Sequence, residues 1–339
     1  MSPTDLSKRI FVVIVAIVLA LGFAEIFLRF LGVGYGSNPL EASNVLHHVH
    51  PKNYKFFVHD PRGEYGNFYV VFDNDRYRVS DISKSNRPVK SGRQIYFLGD
   101  SFTEASQVDW KESFVGRIEA LPSVGYVRNM GVSSYSPIFY LVMFRNELAN
   151  LRNVDVVLQL YENDYAGDLS MYEKLGGVEI GGINKIDGGP SSTAIKILRY
   201  SYLARLVRKV QLQIAYVLTY KPHGLQEDLS FYHGINKRLT HDLIKDIKKE
   251  CDSRGVKLHL MMIPDKPLSM KNQCCDSDFV HSGVKQFAIE ENIGFIDLAS
   301  YFSKTIYQDK LFFKTDIHLT NLGHEIVFLA VKDYFSLAD

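Results

Sequence analysis

Two short stretches of this chain carry residue types that can work together on a carbonyl group. Ser101 sits in YFLGDSFTEA, Tyr96 to Ala105, and Asp316 and His318 sit in KTDIHLTNLGHEIV, Lys314 to Val327. A serine hydroxyl attacks poorly at neutral pH unless a base removes its proton, and imidazole titrates close enough to neutrality to do so. A carboxylate near the imidazole would orient it and stabilise its charged form. Other polar residues nearby have plainer readings. Asp100 reads as a turn residue, Asp164 as a helix cap or loop anchor, and His324 as a packing residue of the carboxyl-terminal helix. Trp110 and the 20 tyrosines could stack on sugar rings, but the tyrosines are scattered along the chain.

The elements that must position these groups follow a regular rhythm. Apolar runs at Gln94 to Gly99, Tyr126 to Gly131, Asp155 to Tyr161, Val256 to Ile263 and Gly294 to Leu298 read as strands. Segments with helical periodicity lie between them, including Phe114 to Ala120, Pro137 to Leu148, Phe231 to Cys251 and Phe279 to Glu291. The alternation predicts a flavodoxin-like three-layer α/β/α sandwich around a mainly parallel five-stranded sheet. Ser101 follows the first strand directly. Asn129-Met130-Gly131 closes the second, Glu162-Asn163-Asp164 follows the third, and the Asp316–His318 segment follows the fifth. With strand order 2-1-3-4-5, the first and third strands are neighbours, so Ser101 and Asn163 converge at the edge where open α/β sheets bind ligands. Ser101 lacks the second glycine of a Gly-x-Ser-x-Gly elbow, which argues against an α/β-hydrolase.

Four blocks in this order resemble those of the SGNH hydrolases, the GDSL esterase and lipase superfamily. GDSF resembles the first block, with Ser101 as nucleophile. NMG is similar to the second, whose glycine is Gly131, and ENDY to the third, whose asparagine is Asn163; DIHL supplies Asp316 and His318. The resemblance runs from about Gln94 to the carboxyl terminus, apart from one insertion. It implies the SGNH fold, a Ser101, His318, Asp316 triad, and an oxyanion hole built from the Ser101 N–H, the Gly131 N–H and the Asn163 side chain. Two departures stand out. Tyr161 replaces the glycine of the usual third block, and Asp316-Ile317-His318 shortens the usual Asp-x-x-His. The shorter spacing is similar to that of SGNH-like proteins acting on bacterial exopolysaccharide, including the alginate O-acetyltransferase group.

The first 33 residues read as a membrane anchor. Lys8 and Arg9 precede a segment from Ile10 to Leu31 interrupted only by Glu25 and Arg29. As a helix its 22 residues would rise ~33 Å, enough to cross a bilayer. A cleaved signal peptide is the rival, since Ala20-Leu21-Gly22 resembles a cleavage site. Either way the basic amino end stays cytoplasmic and the rest is exported. The chain carries 39 Lys plus Arg against 38 Asp plus Glu, a net charge of +1, which supplies no general attraction to nucleic acid.

Residues 34–90 read as a linker and an amino-terminal β extension ahead of a catalytic domain at 91–339. His47, His48 and His50 read as part of a solvated tether with no metal role, and Asn67 to Ser80 as a hairpin. An insertion at 165–230 begins glycine-rich, which reads as surface loop, and ends in a basic helix from Ile195 to Thr219. No acidic residue lies between Asp187 and Glu227. Such a helix can rest on an anionic membrane or hold an anionic glycan, though packing of its apolar face on a core is the expectation. Cys251 can pair with Cys274 or Cys275, or all three can be free thiols.

These readings converge on a membrane-anchored serine esterase that removes acyl groups, acetyl above all, from cell-envelope or exported polysaccharide without metal or cofactor. Two alternatives remain open. One is an O-acetyltransferase supplied by a multi-span acyltransferase partner, as the resemblance implies; the other is a glycan-binding module without turnover.

Overall fold

The structure is a computed structural model, and it describes residues 3–31, 40–59, 63–84, 90–189, 193, 197–198, 200–219, 234–266 and 279–338. Its centre is a five-stranded parallel sheet of β6 (Arg93–Gly99), β7 (Val124–Gly131), β8 (Asp155–Leu160), β9 (Lys257–Met262) and β10 (Gly294–Ile296). Their spatial order is β10-β9-β8-β6-β7. Read from the β7 edge this is the expected 2-1-3-4-5, so β6 lies between β7 and β8, with Gly99 beside Gly131 and Leu98 beside Leu158.

Side chains alternate across this sheet. Leu98, Val156, Leu158, Leu160, Leu258 and Leu260 point into one buried cluster; Ile95, Phe97, Val157 and Met261 point into the other. The first cluster is covered by α4 (Pro137–Asn146), α5 (Asp164–Lys174), α7 (Gly234–Asp252) and α8 (Phe279–Glu290). The second is covered by α3 (Phe114–Glu119), α9 (Leu298–Lys304) and α10 (Asn321–Phe335). Burial of both faces is why the strand sequences read as continuous apolar runs. His324 is buried on α10 and stacks on Phe114 at 5.9 Å, a packing role as expected. Trp110 is buried and donates to Glu119 at 2.8 Å, so it is not a sugar platform. Cys251 is a buried free thiol on α7, and Cys274 and Cys275 lie outside the described residues.

The amino-terminal extension departs from the tether reading. The pair β1 (Glu41–Ala42) and β2 (His48–Val49) is followed by the antiparallel β3 (Tyr54–His59), β4 (Gly66–Phe72) and β5 (Arg78–Val79), the last two forming the expected hairpin. Leu46, His48 and His50 are all buried. Burial alternates along this stretch, with His47 and Val49 half-buried between them and the chain bent at His47, whose φ is 53°. His48 Nε2 lies 2.9 Å from the Ser133 carbonyl, and His50 contacts Glu104. A run of three histidines looked like solvated chain because its polarity hid that alternation.

The insertion contributes α5, a loop whose Ile183 and Ile186 are buried, and α6 (Tyr202–Thr219). The packing expectation for α6 is not met: Val207, Val210 and Ile214 are 49%, 43% and 54% exposed. The first helix, α1 (Pro3–Phe30), is long and apolar enough over Asp5–Phe30 to cross a membrane, a test that a signal sequence would also pass.

Buried acids tie the helices near the sheet's carboxyl edge together. Asp168 on α5 accepts from the Ile138 N–H of α4 at 2.9 Å and from the Thr240 hydroxyl of α7 at 2.7 Å. Burial pushes its carboxyl up to about 6. The folded state therefore holds this proton to higher pH than the unfolded chain, so stability falls as pH rises from about 4 to about 6, and the cost of the buried charge is fully present above that. Asn at this position keeps an acceptor for Ile138 and has no charge to bury. Asp168→Asn should therefore gain melting temperature relative to the wild type, and gain more at pH 8 than at pH 5. Differential scanning fluorimetry at the two pH values measures this, and equal differences would contradict it.

Candidate active site

Ser101 opens α2 (Ser101–Glu104), a single turn directly after β6. Asp100 caps it, its carboxylate accepting from the Phe102 N–H at 2.8 Å, and Ala105 closes it in the left-handed region at φ 57°. The Ser101 hydroxyl thus leaves the sheet at the carboxyl edge of β6, while its own N–H points out of the free end of the turn.

Two contacts hold this turn. Gly131 on β7 lets its backbone in: a Cβ there would fall 2.2 Å from the Glu104 nitrogen and 2.7 Å from the Thr103 carbonyl carbon. The buried Arg78 guanidinium of β5 clamps the far side, donating to the carbonyls of Glu104 at 2.8 Å, Val108 at 2.6 Å, and Ala105. Its burial pulls its pKa down to about 10. Glu104 itself is buried and accepts from the Ser133 N–H at 2.7 Å, the Ser133 hydroxyl at 2.9 Å and the Ser106 hydroxyl at 2.8 Å, with His50 Nε2 at 2.9 Å. Burial alone would raise the Glu104 carboxyl, but His50 and the hydroxyl and N–H donors outweigh it and hold it below the usual carboxylate range.

His318 reaches the same edge from the loop before α10. Its Nε2 lies 2.7 Å from Ser101 Oγ. Its Nδ1 contacts Asp316 Oδ1, which also accepts the His318 backbone N–H at 2.9 Å. A two-residue spacing is enough here because the loop folds the Asp316 carboxylate back over both donors. Burial would raise the Asp316 carboxyl, but its hydrogen bonds and the nearby imidazole keep it below its ordinary value. The loop is fixed from three sides. Lys266, just beyond β9, donates to the carbonyls of Phe313 at 2.6 Å, Lys314 at 3.0 Å and Asp316 at 2.9 Å. The Thr315 N–H donates to Glu64 at 3.1 Å, and the Tyr65 hydroxyl to Asp316 Oδ2 at 3.4 Å. The Phe102 ring stands 5.1 Å from the imidazole on its inner side.

Asn163 follows β8 and precedes α5; it is exposed, with no hydrogen bond to its carboxamide among the described residues. Tyr161, in place of a glycine, is buried with its ring 4.6 Å from Phe102 and its hydroxyl donating to Asp265 at 3.0 Å. Behind it Asp164 accepts the Tyr161 N–H at 3.1 Å, the loop-anchoring role expected, and burial with Asp100 nearby drives its carboxyl well above the ordinary range. Burial likewise pushes Asp100 up to about 6.

The expected Gly131 donor is corrected by this geometry. Its N–H donates to Asn129 Oδ1 at 3.0 Å, while Asn129 Nδ2 holds the Thr103 carbonyl at 2.7 Å. Gly131 serves close approach of the α2 turn instead. The next turn, Val132 to Tyr135, closes with a 3.0 Å bond and holds the exposed Ser134 at φ 68°. Non-glycine residues seldom adopt that conformation; the turn starts beside the end of β6, where the Val132 N–H donates to the Gly99 carbonyl at 3.0 Å, and the Ser134 N–H has no acceptor among the described residues. Sequence reasoning passed over Ser134, Glu104, Arg78, Tyr65 and Lys266. The buried acid and base flanking GDSF were the available signal. Among the described residues no group of three or more His, Cys, Asp or Glu side chains is placed to hold a metal ion.

No protein-family model matches this chain, and no curated protein matches it. Solved structures do. The chain is similar to an acetylxylan esterase, Axe2, from Geobacillus stearothermophilus, with 15% identity over 74% of this chain and 98% of that one at a TM-score of 0.43. It is similar to a member of the lipolytic G-D-S-L family from Veillonella parvula, with 12% identity over 72% and 99% at 0.44. It is also similar to TesA, with 12% identity over 72% and 98% at 0.42.

Because the atoms facing Gly131 are backbone, Gly131→Ala cannot be accommodated by a side-chain swing. It should cost about 1 to 3 kcal/mol of folding free energy, the usual range for an overpacked core. Urea unfolding measures the loss, and an unchanged midpoint would mean that the α2 turn does not rest on β7.

Proposed function

We propose that this chain is an SGNH-type serine esterase, anchored to a membrane by α1, that removes acetyl groups from cell-envelope or exported polysaccharide. The observation that carries the reading is the continuous contact from Asp316 through His318 to Ser101 Oγ. In the proposed cycle Ser101 Oγ attacks the ester carbonyl carbon as His318 Nε2 takes its proton, and Asp316 stabilises the imidazolium. The oxyanion forms between the Ser101 N–H, the Asn163 carboxamide and the Ser134 N–H, the last in the place first assigned to Gly131. His318 then returns the proton to the departing sugar oxygen, leaving acetyl on Ser101. Water, deprotonated by the same imidazole, releases acetate and restores the serine. No cofactor takes part.

The anchor reading rests on the apolar length of α1 with Lys8 and Arg9 at its amino end, which sets the catalytic domain on the outer side. A sugar hydroxyl in place of water at the second step would make the same site an O-acetyltransferase. That version needs a multi-span membrane partner to deliver acetyl, because one helix offers no route for the donor.

Full-length protein in detergent, given 4-nitrophenyl acetate, should release nitrophenol, and Ser101→Ala should abolish the release. Asn163→Ala should lower kcat by about 100- to 1000-fold, the usual loss for one oxyanion donor, while leaving the melting temperature unchanged. Hydrolysis that persists in Ser101→Ala would refute the esterase. Acetyl appearing on added oligosaccharide faster than free acetate would favour transfer.

A further inference from the structure

The apolar side of α6 is largely uncovered among the described residues. Leu203, Val207, Val210 and Ile214 are spaced by four, three and four residues and share one side of the helix; Arg205 and Arg208 fall on the other. Val207, Val210 and Ile214 are open to solvent rather than packed.

The start of α6 is fixed to α1. Glu25 accepts the N–H groups of Tyr202 and Leu203, both at 2.9 Å, and the Ser201 hydroxyl at 3.0 Å. Arg29 donates to Glu25 at 2.8 Å and to the Tyr200 carbonyl, and its guanidinium lies 5.0 Å from the Tyr202 ring centre. Along α1 only Ala24, Glu25 and Leu28 are partly covered among the described residues, so the two helices meet at one turn and part. Counted from Ile10, Glu25 lies about 22 Å along the helix, some 8 Å short of the far side of a ~30 Å hydrocarbon core. A carboxylate at that depth needs the donors it is given. On that count the helix that supplies them begins within about 8 Å of the outer boundary of the hydrocarbon core.

We propose that α6 is a second membrane contact, lying along the outer surface of an anionic phospholipid bilayer with its apolar side among the acyl chains and its cations at the headgroups. This rests on α1 crossing the membrane, as proposed above. Three observations favour lipid as the occupant: the start at membrane depth, the open apolar side continuous with an apolar anchor, and a stretch from Asp187 to Glu227 without an internal acidic residue. With three cations in its eighteen residues, α6 is suited to lie on a bilayer rather than cross it. Two attachments in place of one would stop the catalytic domain from swivelling about α1.

The test uses full-length protein in vesicles of phosphatidylcholine and phosphatidylglycerol, three to one, with brominated phosphatidylcholine as a depth-dependent quencher. Trp110, the chain's one tryptophan, is buried within the domain and supplies a constant background. Tryptophan is introduced by Val210→Trp on the apolar side, Arg208→Trp on the basic side and Leu19→Trp in α1. Bromolipid should quench the added signal of Val210→Trp at least about twofold more than that of Arg208→Trp, as expected for side chains on opposite sides of an interfacial helix. Quenching of Leu19→Trp without preferential quenching of Val210→Trp would overturn the inference and leave the anchor standing. If neither is quenched, the anchor reading itself fails. A photocrosslinker at Val210 that captures a second copy of the chain or another membrane protein in place of lipid would also overturn it.

Discussion

A 2.7 Å contact between Ser101 and His318, residues 217 positions apart, is the constraint around which the rest of the chain is arranged. Nothing local can make it. Ser101 is placed by β6, the second strand from the β7 edge, while His318 comes from a loop beyond β10 at the opposite edge. The loop has to cross back over the ends of the strands, and it is held there by backbone contacts to Lys266, which follows β9, and to Glu64 of the amino-terminal extension. An imidazole carried by so long a loop would otherwise lose orientation to conformational entropy. Asp316, bonded to both the backbone and the ring of His318, converts the position of the loop into the orientation of the ring.

The extension before β6 belongs to the same device. Arg78 fixes the three carbonyls behind the nucleophile turn, and His50 meets the buried Glu104, whose carboxylate also holds Ser133. Glu104 therefore links the turn that carries Ser101 to the turn that carries Ser134. A buried carboxylate so placed is costly unless every donor is present. Arg78, His50 and Glu64 of the extension are thus committed to the shape of the site.

Much of this was legible in the sequence because it depends on patterns with a fixed period. The five strands fall within one or two residues of the apolar runs, since burial on both faces leaves few polar interruptions to blur them. The order of strands followed from βαβ topology, and with it the adjacency of β6 and β8, the strands that precede Ser101 and Asn163. What was not legible depends on contacts between distant polar groups. Gly131 was assigned a donor's task because its motif marks the glycine but not the direction of its N–H, which Asn129 takes up. The buried alternation of Leu46, His48 and His50 was concealed by residue types that are usually solvated. The exposure of the apolar side of α6 could not be read from amphipathicity, which says that a face must be covered and not by what.

The proposed chemistry turns on activation of the Ser101 hydroxyl by His318. The most direct measurement is labelling of the full-length protein with a fluorophosphonate, whose phosphorus is attacked only by an activated serine oxygen with loss of fluoride, followed by peptide mass spectrometry. One stable phosphonyl adduct is expected, on Ser101, and it should disappear in His318→Ala. A Ser101 that stays unmodified in the wild-type protein, or that reacts equally well without His318, would contradict it.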